Sequence, residues 1–304
     1  IRGYIIIKDK KINLISGNNC IIFNYDRAID TNNELEIYVK EGCNEKDLII
    51  ELDNKKSFEK FDNNYKVNFL LSSDINYFVG LFANIKSILL NTNSKNYNKL
   101  YFNFIIPIEN ANYFTKLLIL LESNLSIVIN KTVIYMDKYI LDPILFNSKC
   151  YNGGNHLLNV SNFSRLLIGE FFLYDKLLYL DSDSIVQTDI YKKIENIELK
   201  QDIYAFKMDY ANENKKESIV LNLNVIINTD HNWKKIIGYN INPDDTAFMG
   251  APFITNCKKW NKIYDRTIEI IKNHNKYEGG LYKLFTMSIQ NILFYKKMGD
   301  IKEF

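Results

Sequence analysis

With 304 residues, 47% of them hydrophobic and 24% charged, the chain has the makeup of a globular protein, long enough for one large α/β domain with a modest appendage. Its 38 basic and 36 acidic residues nearly cancel to a formal charge of +2, which removes the electrostatic case for nucleic acid, and no apolar run reaches membrane-spanning length. Cys20, Cys43, Cys150 and Cys257 stand too far apart for a CxxC metal site or a disulfide framework, so they are expected as free thiols in a reducing, cytoplasmic compartment. The Asn-X-Ser/Thr sequons at Asn124, Asn130, Asn159 and Asn162 are chance products of an Asn-rich composition and carry no evidence of secretion.

Residues 1–64 alternate short apolar bursts (YIIIKD, CIIFNY, LEIYV, DLIIELD) with Asn, Asp, Gly and Lys clusters. This pattern predicts a small strand-rich appendage, bounded by the polar stretch from Asp53 to Asn64. Residues 65–304 then read as the main domain. Val67–Leu71 is a strand ending in Ser72-Ser73-Asp74, and Leu81, Ile85, Ile88 and Leu89 mark the helix that follows. Leu100–Ile108 repeats the strand signal, Ala111–Leu121 the helical one, and Leu125–Ile129 is expected as a third strand. Strands alternating with helices predict a Rossmann-like α/β domain with a mostly parallel central sheet, whose ligands sit at the carboxyl ends of its strands.

Farther along, Ser161 is placed to cap a helix carrying Phe163, Leu166, Leu167 and Phe171. Lys176–Leu180 is a strand released into Asp181-Ser182-Asp183, and Ile203–Met208 and Phe253–Thr255 are further strands. Trp260, Ile263, Tyr264, Thr267, Ile268 and Ile271 form the apolar stripe of a late helix.

Asp181 and Asp183 leave the end of a buried strand one residue apart, so both can turn toward one Mg²⁺ or Mn²⁺ that in turn bridges to a diphosphate. A solvated turn has the same letters. So does a haloacid-dehalogenase-like phosphotransferase, in which the first Asp is the nucleophile. That rival places its motif on the first strand of the core, whereas at least three strand and helix units precede Asp181 here.

The segment LLSSDINY (Leu70–Tyr77), followed by a helix ending SILLNT, resembles the opening of glycosyltransferase family 8, which includes glycogenin and bacterial lipooligosaccharide galactosyltransferases. The resemblance continues in order through SRLLIGEFF, LLYLDSDSIV, GAPFITNCKKW and SIQNILF, covering about Val67 to Phe294. It implies a GT-A-type fold and a retaining, metal-dependent transfer of a hexose or related sugar from a UDP-sugar to a glycan or protein acceptor. It further implies that Asp74 accepts from the uracil imide, that Tyr77 stacks on the base, and that Ser72, Ser73 and Asn76 line the pocket. Arg165 and Ser182 would reach the donor, Asp181 would serve donor and metal together, Asp183 would complete the metal pair, and Gln290 would support the reacting face. Read without the family, Tyr77 and Phe78 are core aromatics and Asp74 a helix cap.

The sequence departs from the family at three places. Met249 stands for an Asn, Ile289 for an Asp, and the late His-X-X-Gly-X-X-Lys segment, source of a third metal ligand, is not found before Phe304, so that either the C-terminal end is truncated or the metal site is completed differently. His156, His231 and His274 read as ordinary histidines rather than the missing ligand. These departures keep a degenerate nucleotide-sugar-binding domain as an alternative.

Overall fold

In the computed structural model, residues 60–138, 141–147, 158–212, 217–277 and 279–303 are described, together with four short strands before residue 40. The apolar burst DLIIELD, most of the boundary stretch, Cys43, Cys150 and His156 lie outside the described residues. The chain divides into two units, the first comprising 1–59, 65–141 and 182–192, the second 60–64, 142–181 and 193–304.

The first unit is built on strands β5 (Val67–Ser72), β6 (Leu100–Pro107) and β7 (Lys131–Met136), paired in parallel in that order. Every residue of the three is buried, as expected of parallel strands covered on both faces. The polar members have partners: buried Asn103 donates to the Phe69 carbonyl at 2.9 Å and Ser72 to the Ile105 carbonyl at 2.6 Å. Helix α1 (Phe78–Asn91) buries Phe78, Leu81, Ile85, Ile88 and Leu89, and α2 (Ala111–Leu125) buries Phe114 and Leu118. Rings of Phe78, Phe104 and Phe114 meet at 5.2–5.7 Å to join both helices to the strands.

Among the early strands, β1 (Gly3–Ile7) pairs antiparallel with β2 (Lys10–Asn13) and β4 (Glu36–Val39), while β3 (Asn18–Ile22) lies parallel to β7.

The third strand falls at Lys131–Met136 rather than at Leu125–Ile129. Helix α2 runs on to Leu125, Ser126 turns it out with φ 53, and Val128 is exposed. Lys131 hides the true strand because it is buried yet paired, its Nζ 2.6 Å from Glu122 Oε1. A lysine at the head of an apolar run reads as loop unless the distant carboxylate is known.

In the second unit, β12 (Phe248–Thr255) pairs antiparallel with both β8 (Leu177–Leu180) and β9 (Ile203–Lys207), and β13 (Met298–Asp300) runs parallel to β9. A hairpin of β10 (Asp209–Asn212) and β11 (Glu217–Val220) follows β9. Short helices α3 (Val160–Phe163) and α4 (Ile168–Phe171) flank a 3₁₀ turn holding Arg165. Asn159 caps α3, its side chain accepting from the Asn162 amide at 2.9 Å, so the cap lies two residues before the expected Ser161. Helix α5 (Ile263–His274) buries Ile263, Thr267, Ile268 and Ile271 of the expected stripe, together with Ile270 and His274, whereas Tyr264 is half-buried and Trp260 lies in the 3₁₀ turn before the helix. Helix α6 (Phe285–Leu293) buries all but one of its residues, which is why it lacks a clean polar face in sequence.

Gly169 allows α4 to lie against the Trp260 backbone, since a Cβ there would sit 2.2 Å from the Trp260 carbonyl oxygen. Among the described residues no helix is long and apolar enough to cross a membrane.

Candidate functional site

In the first unit the buried strand β5 ends at Ser72, and the chain turns sharply through Ser73 and Asp74 into α1. Asp74 caps the one-turn 3₁₀ segment Ile75–Tyr77 by accepting from the Asn76 amide through Oδ1 at 2.9 Å. Ser73 donates to the Asp74 carbonyl at 3.1 Å. Phe78 is 1% exposed and belongs to the core, whereas Tyr77 is 48% exposed and Ile75 49%. The two adjacent aromatics therefore part company, and Tyr77 offers a free face where the strand ends.

The segment from Ser182 onward is fastened to α1. Val186 is held at both backbone atoms, its amide donating to Ser87 Oγ at 2.9 Å and its carbonyl accepting from Asn91 Nδ2 at 2.8 Å. Gly80 lets the helix come close: a Cβ at that position would lie 2.9 Å from the Ser182 carbonyl oxygen and 3.5 Å from Asp183 Cα. Asp183 is exposed and Ser182 half-buried. In the sequence Ser87 and Asn91 stand out only within a family-like string, and the signal at Gly80 is a glycine inside an apolar helical pattern.

In the second unit Arg165 is the organising charge. It is buried, with Nη2 donating to Asp181 Oδ1 at 2.9 Å and Nη1 to the Gly250 carbonyl at 3.0 Å. Its guanidinium lies 4.6 Å over the Tyr179 ring, and its Nε has no hydrogen-bond partner among the described residues. Burial works against the charge, but the Tyr179 hydroxyl and the Asp181 carboxylate outweigh it and raise the arginine's pKa. The same burial, with the neighbouring carboxylate, pushes the Tyr179 phenol far above its ordinary range. Asp181 is half-exposed, so one side of this cluster faces out.

Gly250 lies close to the same cluster: a Cβ on it would meet Met287 Cβ at 3.1 Å and Arg165 Nη1 at 3.4 Å, so that Met287 would have to give by a few tenths of an ångström. Gln290, from α6, is 2% exposed and neither its Oε1 nor its Nε2 has a hydrogen-bond partner among the described residues. An unpaired amide in the interior costs free energy.

Ile289 is fully buried, so the position where the family has Asp faces the core; Met249 is 39% exposed. His274 accepts the Leu281 and Tyr282 amides at 2.9 and 3.3 Å, and His231 Nε2 lies 3.0 Å from the Gly280 carbonyl oxygen, so both serve local structure. Cys257 is a buried free thiol. Among the described residues no three His, Cys, Asp or Glu side chains converge as a ready metal site.

The family model for glycosyl transferase family 8 matches residues 68–303. No curated protein matches the chain. Among solved structures, galactosyltransferase LgtC, in complex with donor and acceptor sugar analogues, is similar with a TM-score of 0.50 and 18% identity, over 76% of this chain and 72% of LgtC. Glycosyltransferase GlyE of Streptococcus pneumoniae TIGR4 aligns at 20% identity and a TM-score of 0.44, over 78% of this chain but only 45% of GlyE. At such identities LgtC speaks for the fold alone, and the expected GT-A-type α/β class holds. The ordered motifs and a family match over most of the chain lead to one conclusion: the chain belongs to glycosyl transferase family 8 and is a glycosyltransferase.

Proposed function

We propose that the chain moves a hexose or related sugar from a UDP-sugar to a glycan or protein acceptor, retaining the configuration at the anomeric carbon and using Mn²⁺ or Mg²⁺. The observation that carries this reading is the Arg165 cluster: a buried guanidinium fixed on Asp181 and the Gly250 carbonyl, with Nε unpartnered. Such a fixed cation, in the same unit as the unpaired Gln290 amide, suits a departing diphosphate and the polar sugar attached to it.

The residues present fit a hard divalent cation. Asp181 and Asp183 offer carboxylate oxygens that reach solvent, and Mg²⁺ or Mn²⁺ is commonly held by one or two carboxylates with substrate phosphates completing the shell. When bound, the cation would offset the charge that develops on the diphosphate.

The chain's own groups do the rest. Arg165 orients the Asp181 carboxylate and adds permanent positive charge. Tyr77 would stack on uracil and the Asp74 carboxylate would accept from its imide, with Ser72, Ser73 and Asn76 shaping the turn and Ser182 lying against the donor. Gln290 would hold the reacting face of the sugar. The acceptor attacks from the side on which UDP leaves. An Asp181 committed to a buried arginine is a poor phosphoryl-accepting nucleophile, which weighs against the phosphotransferase alternative.

The test is a panel of UDP-sugars incubated with Mn²⁺ and assayed for UDP release and sugar transfer. One UDP-sugar consumed in a cation-dependent way supports the reading, and phosphate release without sugar turnover overturns it.

A further inference from the structure

Near the end of the second unit a cavity of about 250 Å³ opens beside β12 and the turn after α6. Its chemistry comes from Asp245, Thr246, Phe248, Asn291, Tyr295 and Lys296. The Tyr295 hydroxyl donates to Asp245 Oδ2 at 2.5 Å and accepts from the Asn242 amide at 2.9 Å, while Asn242 Nδ2 reaches Asp245 Oδ1 at 3.2 Å. The carboxylate is therefore held in place before any ligand arrives. Lys296 takes a left-handed φ of 59, and its ammonium lies 5.5 Å over the Tyr295 ring. Among the described residues neither Asp245 nor Lys296 has an ion-pair partner, so an acceptor and a donor line one cavity without neutralising each other.

A fixed carboxylate, an ammonium and a hydroxyl match the hydroxyls of a sugar ring, and the apolar lining from Leu223, Phe248 and Met298 suits its C–H face. The volume lies below the roughly 300–1,000 Å³ typical of larger ligands, which suits a single ring. A phosphate would be repelled by Asp245. The cavity is also built on the reaction residues' own elements. Asn291 directly follows Gln290, and its side chain grips the Phe248 amide and carbonyl, both at 2.8 Å, two residues before Gly250.

We infer that this cavity is a sugar subsite that holds a glycan acceptor by a unit other than the one that reacts. The inference rests on reading the chain as a sugar transferase, and it selects a carbohydrate over a protein acceptor.

The test is saturation-transfer NMR on the full chain with methyl glycosides of glucose, galactose and N-acetylglucosamine, with and without UDP and Mn²⁺. At least one glycoside is expected to bind, to persist when UDP is added, and to lose at least fivefold in affinity in Asp245→Ala and in Lys296→Gly. Glycine takes the left-handed φ without strain, so Lys296→Gly should melt no lower than the parent and thus separates a lost contact from a lost fold. Absence of binding by all three glycosides, binding unchanged in both variants, or displacement by UDP would overturn the subsite. UDP affinity, read in the same samples, keeps the two claims apart: UDP binding without glycoside binding removes the subsite alone, and glycoside binding without UDP binding removes the donor reading alone.

Discussion

Gln290 and Arg165 are both buried polar side chains in the second unit, yet they face opposite consequences of substitution. Gln290 leaves two amide atoms unpaired among the described residues, so Gln290→Met, similar in size and apolar, should stabilise the free protein by roughly 1–3 kcal/mol, the cost of an unsatisfied buried group. That predicts a melting temperature a few degrees higher together with reduced sugar transfer, read by calorimetry and a UDP-release assay. A Gln290→Met variant that melts lower would show that the amide has a partner in the folded chain. Arg165→Met removes a partner of Asp181 and should destabilise by roughly 1–3 kcal/mol, a modest figure because the carboxylate is half-exposed and solvent screens it. The roles proposed for these residues come only from the family-like strings around them. Nothing in SIQNILF says that Gln290 is unpaired, because that depends on what α6 packs against. The parting of Tyr77 from Phe78 was equally hidden, since both are aromatic and only the 3₁₀ turn at Asp74 separates their faces.

At the scale of elements, the link that matters most is the one between α1 and the segment after the Asp-Ser-Asp motif. Ser87 and Asn91 hold Val186 from both sides, and Gly80 allows the helix to reach the Ser182 carbonyl. Gly80→Ala should push residues 182–183 away from the helix. The variant should still fold, with a melting temperature lowered by a few degrees, while UDP affinity in the presence of Mn²⁺ falls at least tenfold by calorimetric titration. Gly169→Ala is different, because its Cβ meets backbone at 2.2 Å and neither chain segment can give way. Its expected cost is roughly 3 kcal/mol or more, visible as loss of soluble folded protein. The strand and helix succession from Val67 was readable because buried parallel strands are continuous apolar runs and α1 and α5 carry clear stripes. The third strand was misplaced because a buried Lys131 looks like a loop residue, and its partner Glu122 lies on the preceding helix.

For the molecule as a whole, burial among the described residues acts most plainly on several phenols and one thiol. Burial raises Tyr135 and Tyr264 each to about 12, and it lifts Tyr179 and Cys257 as well. A raised folded-state pKa means that the folded form keeps its proton while the unfolded chain releases it. Stability from these groups is therefore complete below their ordinary values of 9.0–10.0 and is lost as pH climbs toward 12. Chemical denaturation should show little slope from these groups near neutrality and a decline beginning at about pH 9–10; a protein whose stability rises over that alkaline interval would contradict the burial of these side chains.

The central claim is that Asp181 and Asp183 bind a divalent cation together with a UDP-sugar. It is tested most directly by titrating UDP into the chain with and without Mn²⁺, in the parent and in Asp183→Asn, a change that removes charge and keeps shape at an exposed position. The account predicts that UDP binds at least tenfold more tightly with Mn²⁺, and that Asp183→Asn abolishes this difference without lowering the melting temperature. UDP binding that is indifferent to Mn²⁺ and survives exhaustive chelation would contradict it.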